Sequence, residues 1–198
     1  MAERPFTVHF SKYDSAGRAE LERFMSVIFR RDYGVEMMRF KPYLMSLRDR
    51  DDKLIAACGL QSAAIERLSL ECFLDQPIET VLSEHTGHPV KRGDIVEISY
   101  LSIAKPDMAR YLITAINDQL HFTSKQWAVF TAVPSLRDAF INLGMNPEIL
   151  NAADMNRLFP EDRMEWGSYF EQKPQLMAIR RVERRNKSRI AEPVSSAT

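Results

Sequence analysis

Apolar positions early in the chain recur at helical spacing. Leu21, Phe24, Met25, Ile28 and Phe29 fall on one face of a helix that Asp14 or Ser15 is placed to cap and Gly34 to end. Before it, Phe6 to Phe10 reads as a short strand. After it, Tyr43 to Leu47 and Leu54 to Leu60 read as two strands, joined as a hairpin by the charged turn Arg48 to Lys53. The run Ile95 to Ile103 is apolar on both faces. Simple alternation points Val96, Ile98 and Tyr100 one way, and Ile95, Leu101 and Ile103 the other way with Glu97 and Ser99. Such a run marks a strand buried on both sides, where an unpaired carboxylate is costly.

A second helix follows, capped by Asp107, with Met108, Tyr111, Leu112, Ala115, Ile116 and Leu120 on one face. Trp127 to Val133 is a further apolar strand. Pro134-Ser135 opens a short helix with Leu136, Ala139, Phe140 and Leu143 inward and Gly144 at its end. Trp166 to Phe170 and Gln175 to Arg181 read as a last hairpin around Gln172-Lys173-Pro174. Residues 62–94 read as an insertion. Within it Ile65 to Cys72 is compatible with helix or strand, Gln76 to Glu79 leads into a short helix, and Thr86-Gly87-His88-Pro89 is a turn. The order predicts an α/β fold: a mixed, mostly antiparallel central sheet with flanking helices, in one domain over residues 1–182. The polar tail 183–198 is expected to be disordered.

Composition narrows the function. Hydrophobic residues make up 45% and charged residues 27%, and formal net charge is zero, so no global field favours nucleic acid or an anionic membrane. Cys58 and Cys72 are too few for a disulfide scaffold. His85 and His88 have no acidic or thiol companions at ligand spacing, so no metal is expected. Met1 to Phe10 lacks the apolar core of a signal peptide. The uncharged stretch Leu54 to Ile65 falls short of the about 20 residues that cross a bilayer. The expectation is a soluble cytoplasmic protein, with its oligomeric state left open.

The order of elements resembles the GNAT acyltransferase architecture. There, two neighbouring parallel strands splay apart to admit an acyl-pantetheine arm; here the pair would be Ile95 to Ile103 and Trp127 to Val133. A closer resemblance lies in motifs. Phe73-Leu74-Asp75-Gln76-Pro77-Ile78-Glu79 resembles the Tyr-Phe-Leu-Glu-Gln-Pro-Ile-Glu signature of the thermostable hemolysin family. Ile95 to Leu101 resembles that family's Val-Glu-Ile-Gly-Asn-Leu block, and Trp127 to Ala132 its Trp-x-Val-Phe-Thr-Ala strand. Gly144, Ala153-Asp154 and Trp166 to Phe170 match later landmarks, so the likeness covers about residues 5 to 182. Ser99-Tyr100 stands where the family has Gly-Asn, and Phe73 and Asp75 soften the first signature. A further, fold-level resemblance is to acyl-homoserine-lactone synthases.

The resemblance implies a GNAT-like N-acyltransferase that moves an acyl group from acyl-CoA, or from the phosphopantetheine of an acyl carrier protein, to a small amine. Glu97 is the candidate general base and Tyr169 the candidate proton donor to the leaving thiolate. Candidate donor contacts are Ser99, Leu101, Ser102, Lys105, Arg110 and Thr131. The turn after Ile103 lacks the glycines of a pyrophosphate loop, and Pro106 removes an amide. Lys105 and Arg110 therefore suit the single phosphate of a carrier protein better than coenzyme A. Gln76, Glu79, Tyr100 and Trp166 are the candidate acceptor contacts. The rival readings are a membrane-active hemolysin-type protein and a catalytically inactive GNAT-like binding module.

Overall fold

A computed structural model describes residues 4–35, 37, 39–163 and 166–181. Seven strands form one sheet: β1 (Thr7–Ser11), β2 (Tyr43–Arg48), β3 (Leu54–Ser62), β4 (Ile95–Ile103), β5 (Trp127–Ala132), β6 (Glu148–Ala152) and β7 (Gln175–Arg180). Their order is β1-β2-β3-β4-β5-β7-β6. All neighbours pair antiparallel except β4 and β5, which are parallel. The helices are α1 (Arg18–Tyr33), α2 (Ile78–Thr86), α3 (Ala109–Phe122) and α4 (Pro134–Asn142), with a single turn at Pro160–Arg163. The predicted mixed, mostly antiparallel sheet with one parallel pair is therefore present.

Alternation along the strands sends side chains to two apolar layers. On one face α3 and α4 bury Leu112, Ile116 and Phe140 against Met45, Cys58 and Phe130. Phe130 and Phe140 stack with ring centres 4.9 Å apart. The opposite face holds two smaller clusters. Leu21 and Met25 of α1 cover Leu44 and Ala57. Ile78 and Leu82 of α2 join Leu70 and Phe73 over Ile95, Trp127 and Val129.

Several local expectations are corrected. The segment Trp166 to Phe170 is helical turn rather than strand, with a 3-10 turn at Tyr169–Gln172. β7 instead pairs with β6, a short strand the sequence pattern did not reveal, because Glu148 to Ala152 has no clear alternation. α1 begins after Gly17 at φ +80, and the Ser15 hydroxyl accepts from the Lys12 N–H rather than capping the helix. Asp107 sits in a 3-10 turn, so Met108 precedes α3 without a side-chain cap. Leu143, expected inward, is 43% exposed because α4 ends at Asn142. The expected tail 183–198 lies outside the described residues.

The segment between β3 and β4 is fixed by one buried carboxylate. Glu71 accepts from the backbone N–H groups of Leu68 and Ile78, at 2.8 and 2.9 Å, and from Arg92. Arg92 also reaches Glu79 at 2.6 Å. Burial pushes the Glu71 carboxyl up, but the Arg92 hydrogen bond and charge and the two backbone N–H groups outweigh it and hold it at about 2. A carboxyl lowered from 4.5 contributes stability that is present above pH 4.5 and lost as pH falls toward 2. Glu71→Gln is expected to lower urea stability at pH 7 by about 1–3 kcal/mol, the range for hydrogen bonds to buried charged groups. Titrating the unfolding midpoint should show that gap closing as the pH drops through this window.

Candidate functional site

Strands β4 and β5 hold together for only three residue pairs, Ile95 to Glu97 against Trp127 to Val129. Both strands continue past that point, to Ile103 and Ala132, without pairing to each other. They part where Glu97 sits. A bulge two residues on sharpens the change: Gly59 pairs with Ser99 but Ala57 pairs with Ser102, so two residues of β4 oppose Cys58 alone. Tyr100 takes a left-handed φ of +53 there. A bulge also reverses which face the following side chains meet. Leu101 and Ile103 accordingly pack with Val96 and Ile98, not with Ile95 as simple alternation placed them.

The parted strands open a cavity of about 400 Å³. Glu97, 3% exposed, lies in its wall. Its Oε2 accepts from the Ser69 N–H at 2.9 Å and from the Lys41 ammonium at 3.3 Å. Burial pushes the Glu97 carboxyl above its ordinary value, opposed by the charge of Lys41, the Ser69 N–H, the Lys41 hydrogen bond and the Leu70 N–H. Glu97 is thus ion-paired, with Lys41 rather than with Arg92, which is committed to Glu71 and Glu79.

Lys41 is the residue that reading the sequence missed. It lies just before β2, is 7% exposed, and donates to Gln61 Oε1 and to Ser69 Oγ besides Glu97. Its backbone is fixed from α1, where the buried Arg18 donates to the carbonyls of Lys41 and Pro42 at 2.7 and 3.2 Å. Its stem crosses β3 at Gly59. A Cβ there would stand 2.8 Å from Lys41 Cγ and 2.7 Å from Ser99 Oγ. A glycine inside an apolar strand was the available signal, since it marks close approach of another group.

Aromatic rings wall the cavity on its α1 side. Phe29, Tyr33, Tyr169, Trp166 and Tyr100 form a closed circuit with successive ring centres 5.3, 5.0, 5.3, 6.2 and 5.9 Å apart. Gly167, at φ +47, lets this wall close: its Cα packs on the Tyr33 carbonyl, where a Cβ would lie 2.1 Å from the oxygen. Tyr169 is buried and donates to Thr131 Oγ1 at 3.3 Å. Burial pushes its phenol well above the ordinary range, so it is protonated at neutral pH.

The cavity thus gathers Glu97, Tyr169, Ser99, Leu101, Thr131, Tyr100 and Trp166. Among the described residues the buried Ser99 hydroxyl has no hydrogen-bond partner. Ser102 lies outside the cavity, fully buried, its hydroxyl bonded to the Tyr100 carbonyl. Lys105 is exposed on the turn after β4 and Arg110 is exposed in the first turn of α3, where it lies against the Tyr111 ring. Gln76 and Glu79 line a separate depression beside Arg92. His85 pairs with Glu148, and no metal-binding cluster occurs among the described residues.

Gly59→Ala is expected to push Lys41 and Ser99 away from β3 and to lower stability by about 1–3 kcal/mol, the usual cost of overpacking. Thermal denaturation checks this. An unchanged melting temperature would mean that the Lys41 stem is free to move.

Comparison with solved structures gives the fold. The AHL synthase LasI matches with a TM-score of 0.58 and 10% identity, over 89% of this chain and 90% of that one. TofI in an apo form matches with a TM-score of 0.58 and 10% identity, over 88% and 90%. FeeM, an N-acyl amino acid synthase from uncultured soil microbes, matches with a TM-score of 0.54 and 12% identity, over 87% and 89%. At such identities the likeness is one of architecture. No curated protein matches in sequence. The family described as thermostable hemolysin matches residues 11–184, and the chain belongs to that family.

Proposed function

We propose that this protein is an N-acyltransferase that takes an acyl group from a pantetheine thioester and places it on a small amine. The observation that carries this reading is the buried Glu97 carboxylate, set where β4 and β5 part and facing an open cavity. The names of the similar folds, AHL synthase and N-acyl amino acid synthase, support the same chemistry. The cleft between the strands is open rather than collapsed.

In this reading the thioester lies between the parted strands, beside Leu101, Ala132 and Val133. The acceptor enters on the Glu97 side. Its nitrogen attacks the thioester carbonyl; a C–N bond forms, the C–S bond breaks, and Glu97 takes the proton that the nitrogen loses. Backbone N–H groups of β4 beyond Glu97, where pairing with β5 has ended, stabilise the carbonyl oxygen as charge develops. Tyr169, held as a phenol, supplies a proton to the departing thiolate, and Thr131 orients its hydroxyl. Trp166 and Tyr100 line the acceptor side, and the free Ser99 hydroxyl supplies a hydrogen bond to bound substrate.

Donor choice follows from the turn after β4. Arg31 draws the carbonyls of Ile103 and Ala104 toward α1, at 3.1 and 2.7 Å, and α3 starts only at Ala109. Without an amide-rich glycine loop, the phosphate contacts fall to Lys105 and Arg110, which suits the single phosphate of a carrier-bound phosphopantetheine. The family name points instead to membrane action. Among the described residues no helix is long and apolar enough to cross a membrane.

The test is turnover of purified protein with acyl-carrier-protein and acyl-CoA panels against amine acceptors, read by mass spectrometry. Product should form with an acyl-thioester. Glu97→Gln should lower kcat/KM by about 100-fold or more in a protein that still folds, as circular dichroism would show. Full activity in that folded variant removes Glu97 as the base. No product from any pair, together with leakage of dye-loaded vesicles, replaces this reading with the membrane-active one.

A further inference from the structure

The buried lysine beside Glu97 has no role in the chemistry above, yet the structure commits every donor it has. An ammonium carries three N–H groups. Three oxygens lie within reach of Lys41 Nζ: Gln61 Oε1, Ser69 Oγ and Glu97 Oε2. No donor is left over for a substrate. The approach to this position is prepared from three directions. Arg18 fixes the Lys41 backbone carbonyl, Gly59 leaves room for the stem, and the Gln61 amide is itself held through a 3.0 Å bond to the Arg67 carbonyl. The carboxylate is prepared in the same way, since Ser69 donates its N–H to Glu97 and its hydroxyl meets Lys41.

We propose that Lys41 is the positioning residue of this site: a fixed internal counter-ion that orients the Glu97 carboxylate and keeps it ionised in a buried wall. The assignment rests on the acyltransferase reading only for its catalytic consequence. A carboxylate must be unprotonated to accept the amine proton, and burial alone drives it toward the neutral acid. The pairing opposes that drive, and the hydrogen bonds direct one oxygen to Lys41 and Ser69. Other titratable groups lie around Glu97. The Cys72 thiol, on the 3-10 turn Ser69–Phe73, is pushed up by burial and by Glu97. Tyr33 and Tyr169 line the same cavity from α1 and from the turn before β7, both pushed up first by burial. Arg39, Arg157 and Asp162 line the rim, with Arg157 bonded to Asp75 and Asp162 to Arg39. Among the described residues Lys41 is the cation that touches Glu97.

The experiment is a carboxyl-carbon NMR titration of the full chain labelled at glutamate, with the Glu97 signal identified by its loss in Glu97→Gln. In Lys41→Met the Glu97 midpoint is expected to rise by about one pH unit or more, the lower end of the effect of an adjacent opposite charge. Lys41→Arg keeps the charge and should leave the midpoint near the wild-type value, and Lys41→Gln should behave like Lys41→Met. Folding of each variant is checked by circular dichroism. If Lys41→Met does not fold, the contrast between Lys41→Gln and Lys41→Arg decides. An unchanged Glu97 midpoint in a folded, uncharged variant overturns the proposal and leaves Lys41 as packing.

Where acyl transfer is measurable, the acid limb of kcat/KM should move upward with the NMR midpoint, so that Lys41→Met regains activity at higher pH. A shifted midpoint in a protein that transfers no acyl group upholds the counter-ion role and discards the acyltransferase reading. The two failures are thus told apart.

Discussion

The parting of β4 from β5 is the constraint on which the rest of the structure depends. Parallel strands satisfy their backbone groups by pairing evenly along their length, and a buried strand edge without a partner is costly. Here pairing stops after Glu97 and Val129. On the far side, β5 stays tied to β7 through all six of its residues. β4 stays tied to β3 on both sides of its bulge. The sheet therefore remains continuous while a gap opens inside it. The apolar layers are arranged around that gap, with α3 and α4 on one face and the α1 and α2 clusters on the other.

Charge is placed within this frame with little waste. Two buried carboxylates lie on the same side of the sheet and are treated differently. Glu71 receives two backbone N–H groups and the two-pronged Arg92, which holds it far down the acid range and turns it into a structural clamp. Glu97 receives one lysine and the Ser69 N–H and faces the cavity, and burial keeps its carboxyl above the ordinary value. The first arrangement suits a permanent anion. The second leaves a carboxylate that faces the cavity and holds a proton more readily than a free one, which suits a general base.

The cavity wall has a matching division. Apolar residues such as Leu101, Val133 and Leu136 line the gap between the strands, whereas the circuit from Phe29 to Tyr100 presents rings and hydroxyls on the Glu97 side. Large side chains with few rotatable bonds hold such a surface in shape at low entropic cost. The Tyr33 carbonyl ties it to the chain near Gly167 by accepting the Ser168 N–H at 2.9 Å. The C-terminus of α1 and the segment before β7 are thereby locked together, 135 residues apart in sequence.

The sequence by itself determined the order of the main strands and helices and set Glu97 in a strand apolar on both faces, because these follow from local periodicity; the splayed strand pair was expected from the resemblance to the GNAT architecture. A strand apolar on both faces is buried wherever it lies, and a carboxylate within it stands out. The phase of β4 beyond Ser99, the short strand β6 and the helical turn at Trp166 were decided by tertiary structure. A one-residue bulge reverses an alternation without altering its pattern, and a five-residue edge strand gains its pairing only when β7 is present. Lys41 belongs to the second group most clearly. It lies 56 residues from Glu97, and its neighbours in sequence give no hint of burial. Only the folding of α1, β3 and the 69–73 turn around it brings three oxygens within reach of its side-chain nitrogen.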